Sequence, residues 1–401
     1  MLFTKPFCRI LLGLILTVSA SFGYADQSGY RIIWDDFKDD FAVAAAPGPD
    51  VKWLYFGFPQ SSGGFFLGDD ANAQVSQQGP RPGLTLRSSG VNPATGQPAF
   101  TKTVGQEGAP DNPGVPGGLD HVKFLAYANN FASSGQPGFD AVPGQVLTFE
   151  ARMGGRSYGT EFAPFDVPNT DDDLRLGSVA MNAIDLETFM VFDFFLTNEQ
   201  IYVFYERLPF GRPFLGNYAA FSYQVPVAAR NPGDIHRLRI SYDRDAGVVS
   251  WHVGGREVFR VSQIGKRIDP RFLTIDHGGE EPALPLVLNQ LWPGMGMFTL
   301  LDAVLPSGDG LVKLSSEPDF YFVPGTNQPL PFIDLDSLAT NWLFGQGAGF
   351  FLREYVISSR YRQRPLSLSK KNAAPSEGGA AQAPDSSARQ ALMVTAAAPY
   401  R

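Results

Sequence analysis

The sequence predicts an all-β protein built as a sandwich or barrel, on three observations. Apolar and polar residues alternate in short runs, as they do along half-buried pleated strands. Turn signals separate the runs, and hardly any stretch shows the 3.6-residue period of a helix. The 401-residue chain also carries 33 Phe, 14 Tyr, 43 Gly and 32 Pro, a turn-rich and aromatic-rich composition.

In chain order, the first 25 residues read as a secretory signal. Lys5 and Arg9 form a basic start, and Gly23-Tyr24-Ala25 a small-residue cleavage site before Asp26. The apolar core between them, residues 10–18, is too short for the roughly 20 residues of a membrane span. Cys8, the only cysteine, leaves with this segment, so the expected mature chain has no disulfide and no thiol chemistry. Losing Lys5 and Arg9 takes the formal charge from −8 to −10. An acidic surface argues against nucleic acid or anionic lipid as a partner. The expectation is a secreted protein without a transmembrane anchor.

Short strands are expected at 31–35, 53–58 and 84–87. Residues 88–120 hold so many Gly and Pro that they read as loop. Loops of that length are uncommon unless functional or disordered; this one is a candidate rim over a cleft, or else a plain surface excursion. Strands resume at 121–127 and at 146–153, where Leu147, Phe149 and Ala151 alternate with Thr148, Glu150 and Arg152. From 175 to 261 the chain is nearly continuous strand and hairpin, and 295–303 and 350–361 supply later strands. One domain is predicted over 30–362. From about 365 the chain is rich in Ala, Ser, Gly and Pro, lacks an apolar face and is expected to be disordered.

The most informative block is 236–261, HRLRISYDRDAGVVSWHVGGREVFRV. Alternation puts Leu238, Ile240 and Tyr242 on one face, then Val249, Trp251 and Val253. The Gly254-Gly255 pair supplies the positive φ of a two-residue turn. This block resembles the concanavalin A-like jelly rolls of the laminarinase-type glycoside hydrolases and related lectins. In those proteins a strand opening with His ends in an aromatic, and a Trp-x-Val-x-Gly strand then turns. The resemblance covers about 145–261 and, loosely, the final strand. It implies a two-sheet antiparallel jelly-roll sandwich, in a bacterial branch of that superfamily with no known activity.

The resemblance also implies a catalytic triplet, Glu-x-Asp-x-Glu, on one strand: nucleophile, assisting Asp, acid/base. In this chain Asp185 and Glu187 match the second and third positions, and Ala183 stands at the first. A methyl group cannot attack an anomeric carbon. On that alignment the retaining mechanism is absent, and Asp185 and Glu187 read equally as an ordinary solvated strand face. Related jelly rolls often carry a structural calcium ion, for which Asp35, Asp36, Asp39 and Asp40 offer hard oxygens. No other metal or cofactor is expected, since His121, His236, His252 and His277 lack ligand spacing.

The residues themselves offer a better clue. The strand through Phe189–Leu196 turns and returns as 201–207. A two-residue loop at Asn198-Glu199 pairs Phe195 with Tyr202, Asp193 with Phe204 and Val191 with Glu206. One face then holds Asp185, Glu187, Asp193, Tyr202 and Glu206, with Asp193 and Glu206 as diagonal neighbours about 7–8 Å apart in the backbone. That spacing suits the roughly 5–9.5 Å carboxyl separation of glycosidase pairs. Glu206-Arg207 also reads as an exposed ion pair closing a sheet edge. Tyr202, Phe210, Phe214 and Tyr218 are candidate sugar-stacking rings, Phe210 to Tyr218 being a Gly- and Pro-containing loop. The loop Asp276-His277-Gly278-Gly279 makes His277 a candidate acid/base, or else an ordinary turn whose Asp accepts backbone bonds.

Three functions follow. The first is a secreted protein binding a polysaccharide or oligosaccharide along its concave face. The second is a glycoside hydrolase or polysaccharide lyase using Asp193 and Glu206, with His277. The third is a structural or interaction protein of the envelope whose concave face is filled by its own loops.

Overall fold

A computed structural model describes residues 29–362 except 60–64, 78–81, 110–111, 113–114 and 306–307. The expected signal segment and the expected disordered tail lie outside the described residues. The molecule is a two-sheet antiparallel jelly-roll sandwich.

The smaller, eight-stranded sheet contains β1 (Tyr30–Asp35), β4 (Ala71–Ser76), β5 (Gly83–Ser88), β8 (Gln145–Tyr158), β13 (His236–Asp243), β14 (Val248–Val253), β15 (Arg256–Val261) and β18 (Gly347–Tyr361). Its order is β15-β14-β13-β8-β18-β5-β4, with β1 on the same edge of β18 as β5. The larger, ten-stranded sheet contains β2 (Val43–Ala44), β3 (Trp53–Tyr55), β6 (Val122–Ala128), β7 (Phe139–Asp140), β9 (Ser178–Asp185), β10 (Met190–Leu196), β11 (Gln200–Arg207), β12 (Phe221–Ala229), β16 (Leu273–Asp276) and β17 (Gln290–Phe298). Its order is β2-β3-β6-β17-β9-β10-β11-β12-β16, with β7 on β17.

Alternation decides which residues meet between the sheets. In β8, Leu147, Phe149 and Ala151 point into the core and Thr148, Glu150 and Arg152 point out, as their pattern requires. Leu238, Ile240 and Tyr242 of β13 and Val249 and Trp251 of β14 join them. The larger sheet contributes Met181 and Ala183, Phe192 and Phe194, and Val203 and Tyr205. Ala183 is therefore a core methyl group packed between the sheets.

The larger sheet departs from simple alternation. Every residue of β6, β9, β10 and β17 is buried. Strands buried on both faces need a second layer on the outside. That layer is the segment 299–334, whose Leu300, Val304, Tyr321, Leu330 and Phe332 pack on Ile184, Val191, Phe195, Phe204 and Trp292. The loop expected to rim a cleft, 88–120, runs into the short helix Gly117–His121, which leads directly into β6.

Candidate functional site

The hairpin of β10 and β11 has the register that a two-residue loop demands: Phe195 opposite Tyr202, Asp193 opposite Phe204, Val191 opposite Glu206. Thr197 closes the bend, its Oγ1 accepting from Gln200 N at 3.0 Å. Asn182 of β9 lies beside Asp193, and Ser222 of β12 beside Glu206. These four side chains project from the outer face of the larger sheet.

Asp185 does not join them. β9 stops at Asp185, which pairs with Met190 across a turn over 186–189, so Asp185 falls on the core-facing side with Ala183. The turn, closed by Phe189 at φ 60°, resets the parity that a single continuous strand would carry through. Asp185 fixes the turn, accepting from Thr188 Oγ1 at 2.6 Å and from Gln290 Nε2 at 2.7 Å. Glu187 accepts from Asn289 Nδ2 and Gln290 Nε2, each at 3.0 Å. Both carboxylates tie the turn to the start of β17 and stand apart from Asp193 and Glu206.

Asp193 is 2% exposed, and no donor among the described residues satisfies its Oδ1. Its carboxyl shares a hydrogen bond with Glu206. Two carboxylates in contact cannot both ionise. Burial first, and then the charge of Glu206, push Asp193 well above the usual carboxylate range. Asp193 therefore keeps the shared proton and donates it to Glu206. Burial also raises Glu206, opposed by its bond from Ser222 Oγ, by the proton of Asp193 and by the positive field of His121.

His121 and Asp302 complete the arrangement. His121 Nε2 lies 2.5 Å from Asp302 Oδ1, and Tyr321 OH donates to Asp302 Oδ2 at 2.7 Å. Burial alone would depress His121, but the charge of Asp302 and its hydrogen bond outweigh that, and the imidazole is raised above 6.5. Burial would raise Asp302, yet His121 and Tyr321 hold it below its usual value. Asp302 is fully buried, while the His121 side chain is 22% exposed and Glu206 is partly exposed. The face expected to be an open trough is thus sealed at its centre by 299–334. Glu206 and His121, each partly exposed, are the acid and the imidazole of this arrangement that solvent reaches.

His277 is buried, its Nδ1 2.6 Å from Phe320 O and its ring 4.4 Å from that of Phe320. Burial pushes it down to about 4, so it is neutral and donates to that carbonyl. Asp276 accepts from Gly278 N at 2.8 Å, so this is a turn in which Asp satisfies local backbone. Among the candidate rings, Tyr202 is buried under the cover and Tyr218 is buried beneath Arg207, whose guanidinium sits 4.0 Å from the ring centroid. Tyr218 OH bonds Leu208 O and Gly211 N, a structural role. Phe214 is 50% exposed in the short helix Arg212–Leu215. Phe210 is partly exposed and lies against Gly118, in the turn that presents His121. Of the four, Phe210 is the ring seated against the turn that leads to His121.

Sequence reasoning missed His121, Asp302 and Tyr321. The single signal for His121 was its place at the end of the Gly- and Pro-rich loop. Among the described residues no group of three or more His, Cys, Asp or Glu could hold a metal ion. Asp35, a candidate calcium ligand, is already engaged by Trp53 Nε1 at 2.8 Å and Lys52 Nζ at 3.3 Å, and Asp36 by Lys38 at 2.7 Å. No helix among the described residues is long and apolar enough to cross a membrane.

Comparison with solved structures finds polysaccharide-acting enzymes at low similarity. An alginate lyase of polysaccharide lyase family 7 is 10% identical with a TM-score of 0.36, covering 77% of this chain and 95% of its own. A Bacteroides ovatus mixed-linkage glucan enzyme of glycoside hydrolase family 16 gives 10% and 0.36, covering 82% and 99%. The κ-carrageenase of Pseudoalteromonas carrageenovora gives 11% and 0.30, covering 84% and 97%. An uncharacterized protein of Acanthamoeba polyphaga mimivirus is 31% identical over 253 residues, 48% of this chain and 56% of that protein. The chain thus spans little more than half the length of this curated relative, which is viral where a bacterial branch was expected. Residues 34–361 match a family of unknown function, DUF6081, and the chain belongs to it.

Proposed function

We propose that this protein acts on an acidic polysaccharide by acid–base chemistry at the Glu206–His121 pair, as a lyase. One observation carries the reading. A carboxylate backed by a protonated acid lies in the positive field of an imidazole backed by a buried carboxylate, and both side chains are partly exposed. The hydrolase reading is weaker on geometry. Glycosidase carboxyls stand roughly 5–9.5 Å apart to admit the sugar or a water, whereas Asp193 and Glu206 touch.

In an elimination, Glu206 takes the proton next to the uronate carboxylate and the carbon–oxygen bond to the leaving sugar breaks. A double bond forms in the ring, and His121 protonates the departing oxygen. Asp302 orients His121 and favours its protonated form; Asp193 holds Glu206 in place. The sealed centre confines contact to a chain end or a short segment. Secretion would bring the protein to such a substrate.

The test is a panel of uronate-containing and neutral polysaccharides, followed by ultraviolet absorbance for unsaturated products and by reducing-end assay. The expected product is unsaturated, and Glu206→Gln or His121→Ala lowers turnover at least 100-fold. Rate should rise as Glu206 ionises above 4.5 and fall as His121 deprotonates above 6.5. Asp302→Asn should move the alkaline limb down. Absence of any product or binding across the panel overturns the proposal and leaves the second reading, a structural protein. That reading is favoured by the packed cover over 299–334.

A further inference from the structure

The outer face of the smaller sheet carries a different kind of surface. Across three adjacent strands the outward positions are hydroxyls in register: Thr148 of β8, Ser241 of β13 and Ser250 of β14, with Arg260 of β15 opposite Ser250. In the next row Arg239 lies between Glu150 and His252. Thr148, Arg239, Ser241, Ser250, His252 and Arg260 line a polar cavity of about 340 Å³, within the size range of small-ligand sites.

The neighbouring arginines are already paired. Arg237 binds Glu150 at 2.9 Å, Arg260 binds Glu257 at 2.7 Å and Arg362 binds Asp243 at 3.3 Å. Arg239 has no acidic partner among the described residues, and its Nε is buried without a hydrogen-bond partner. A guanidinium is permanently charged and matches planar oxyanions with two parallel bonds. A buried donor left unpaired is the exception in folded proteins. Something that brings oxygen acceptors would satisfy it.

We propose that this cavity binds an acidic sugar. Its carboxylate or sulfate sits on Arg239, and its hydroxyls meet those of Thr148, Ser241 and Ser250, each of which both donates and accepts. No Phe, Tyr or Trp is among the lining residues, so the ring surfaces that usually stack on a neutral sugar do not contribute there. The negative group is what selects the ligand. This site faces away from Glu206 and does not depend on any chemistry at that residue.

Calorimetric titration of the full chain with an oligogalacturonate, a sulfated oligosaccharide, a neutral β-glucan oligosaccharide and inorganic sulfate tests it. At least one acidic oligosaccharide should bind more tightly than both the neutral sugar and inorganic sulfate; which of the two does so identifies the anion. Arg239→Ala should weaken that binding at least tenfold with an unchanged thermal midpoint, Arg239→Lys should recover it in part, and Glu206→Gln should leave it unaltered. Equal binding by Arg239→Ala overturns the site, as does no binding by the wild type. Loss in Glu206→Gln instead places the ligand on the other face, and inorganic sulfate binding as tightly as the sugars removes the saccharide from the proposal. Ser250→Ala, a smaller change, should weaken binding severalfold and guards against an Arg239 variant that fails to fold.

Discussion

The two outer faces of this sandwich handle charge in opposite ways. On the larger sheet Asp193 and Asp302 are buried, and the arrangement survives by sharing a proton between Asp193 and Glu206 and by pairing His121 with Asp302. On the smaller sheet the charges stand in water, Arg260 on Glu257 and Arg362 on Asp243, where exposed pairs are worth at most about 1 kcal/mol each. A covered face perturbs its ionisable groups and ties them to stability. An open face leaves them available to a ligand.

The largest expected difference lies in the cover itself. Phe332→Ala removes a buried ring from the layer over the larger sheet and should cost about 3–5 kcal/mol in denaturant unfolding. Ser250→Ala on the opposite face should fall within about 0.5 kcal/mol. Similar costs at both positions would show that 299–334 lies loosely on the sheet.

Next comes the acid limb of stability. His277 is held neutral, at about 4 against 6.5 in the unfolded chain. Its contribution is fully present above pH 6.5 and is lost as pH falls towards 4, by roughly 3 kcal/mol. His277→Asn keeps a donor for Phe320 O and removes the titration, so its thermal midpoint should fall less steeply over that interval. A slope identical to that of the wild type would mean that His277 does not titrate on unfolding.

The smaller effect has the opposite sign. Asp193 is raised, so its protonated form favours the folded state below the ordinary carboxylate range, and that stability drains away as pH rises through the raised value. Asp193→Asn should match the wild type in acid and melt higher than it in alkali. An Asn variant less stable than the wild type at every pH would show that the shared proton outweighs the cost of burying the charge.

What was legible in the sequence was whatever has a period. The strands of 236–261 and the β10–β11 register follow from alternation and from a short loop of defined length, and Asp193 and Glu206 were found that way. Asp185 was placed on the wrong face because residues 186–189 form a turn where the run of apolar residues suggested one strand. The cover, 299–334, has little regular structure and hence no pattern to read. His121 and Asp302 lie 181 positions apart; no local signal joins them. Each also carries a plain alternative role until the fold supplies its partner.

Trp251 gives the two faces a mechanical connection. It belongs to β14, between Ser250 and His252, which line the arginine cavity, and its indole crosses the core to donate to the carbonyl of Asp193 at 3.0 Å. A shift of β14 must therefore either stretch that bond or drag β10 along with it. The indole is thus a polar tie between the backbones of the two sheets, set in a core that is otherwise apolar.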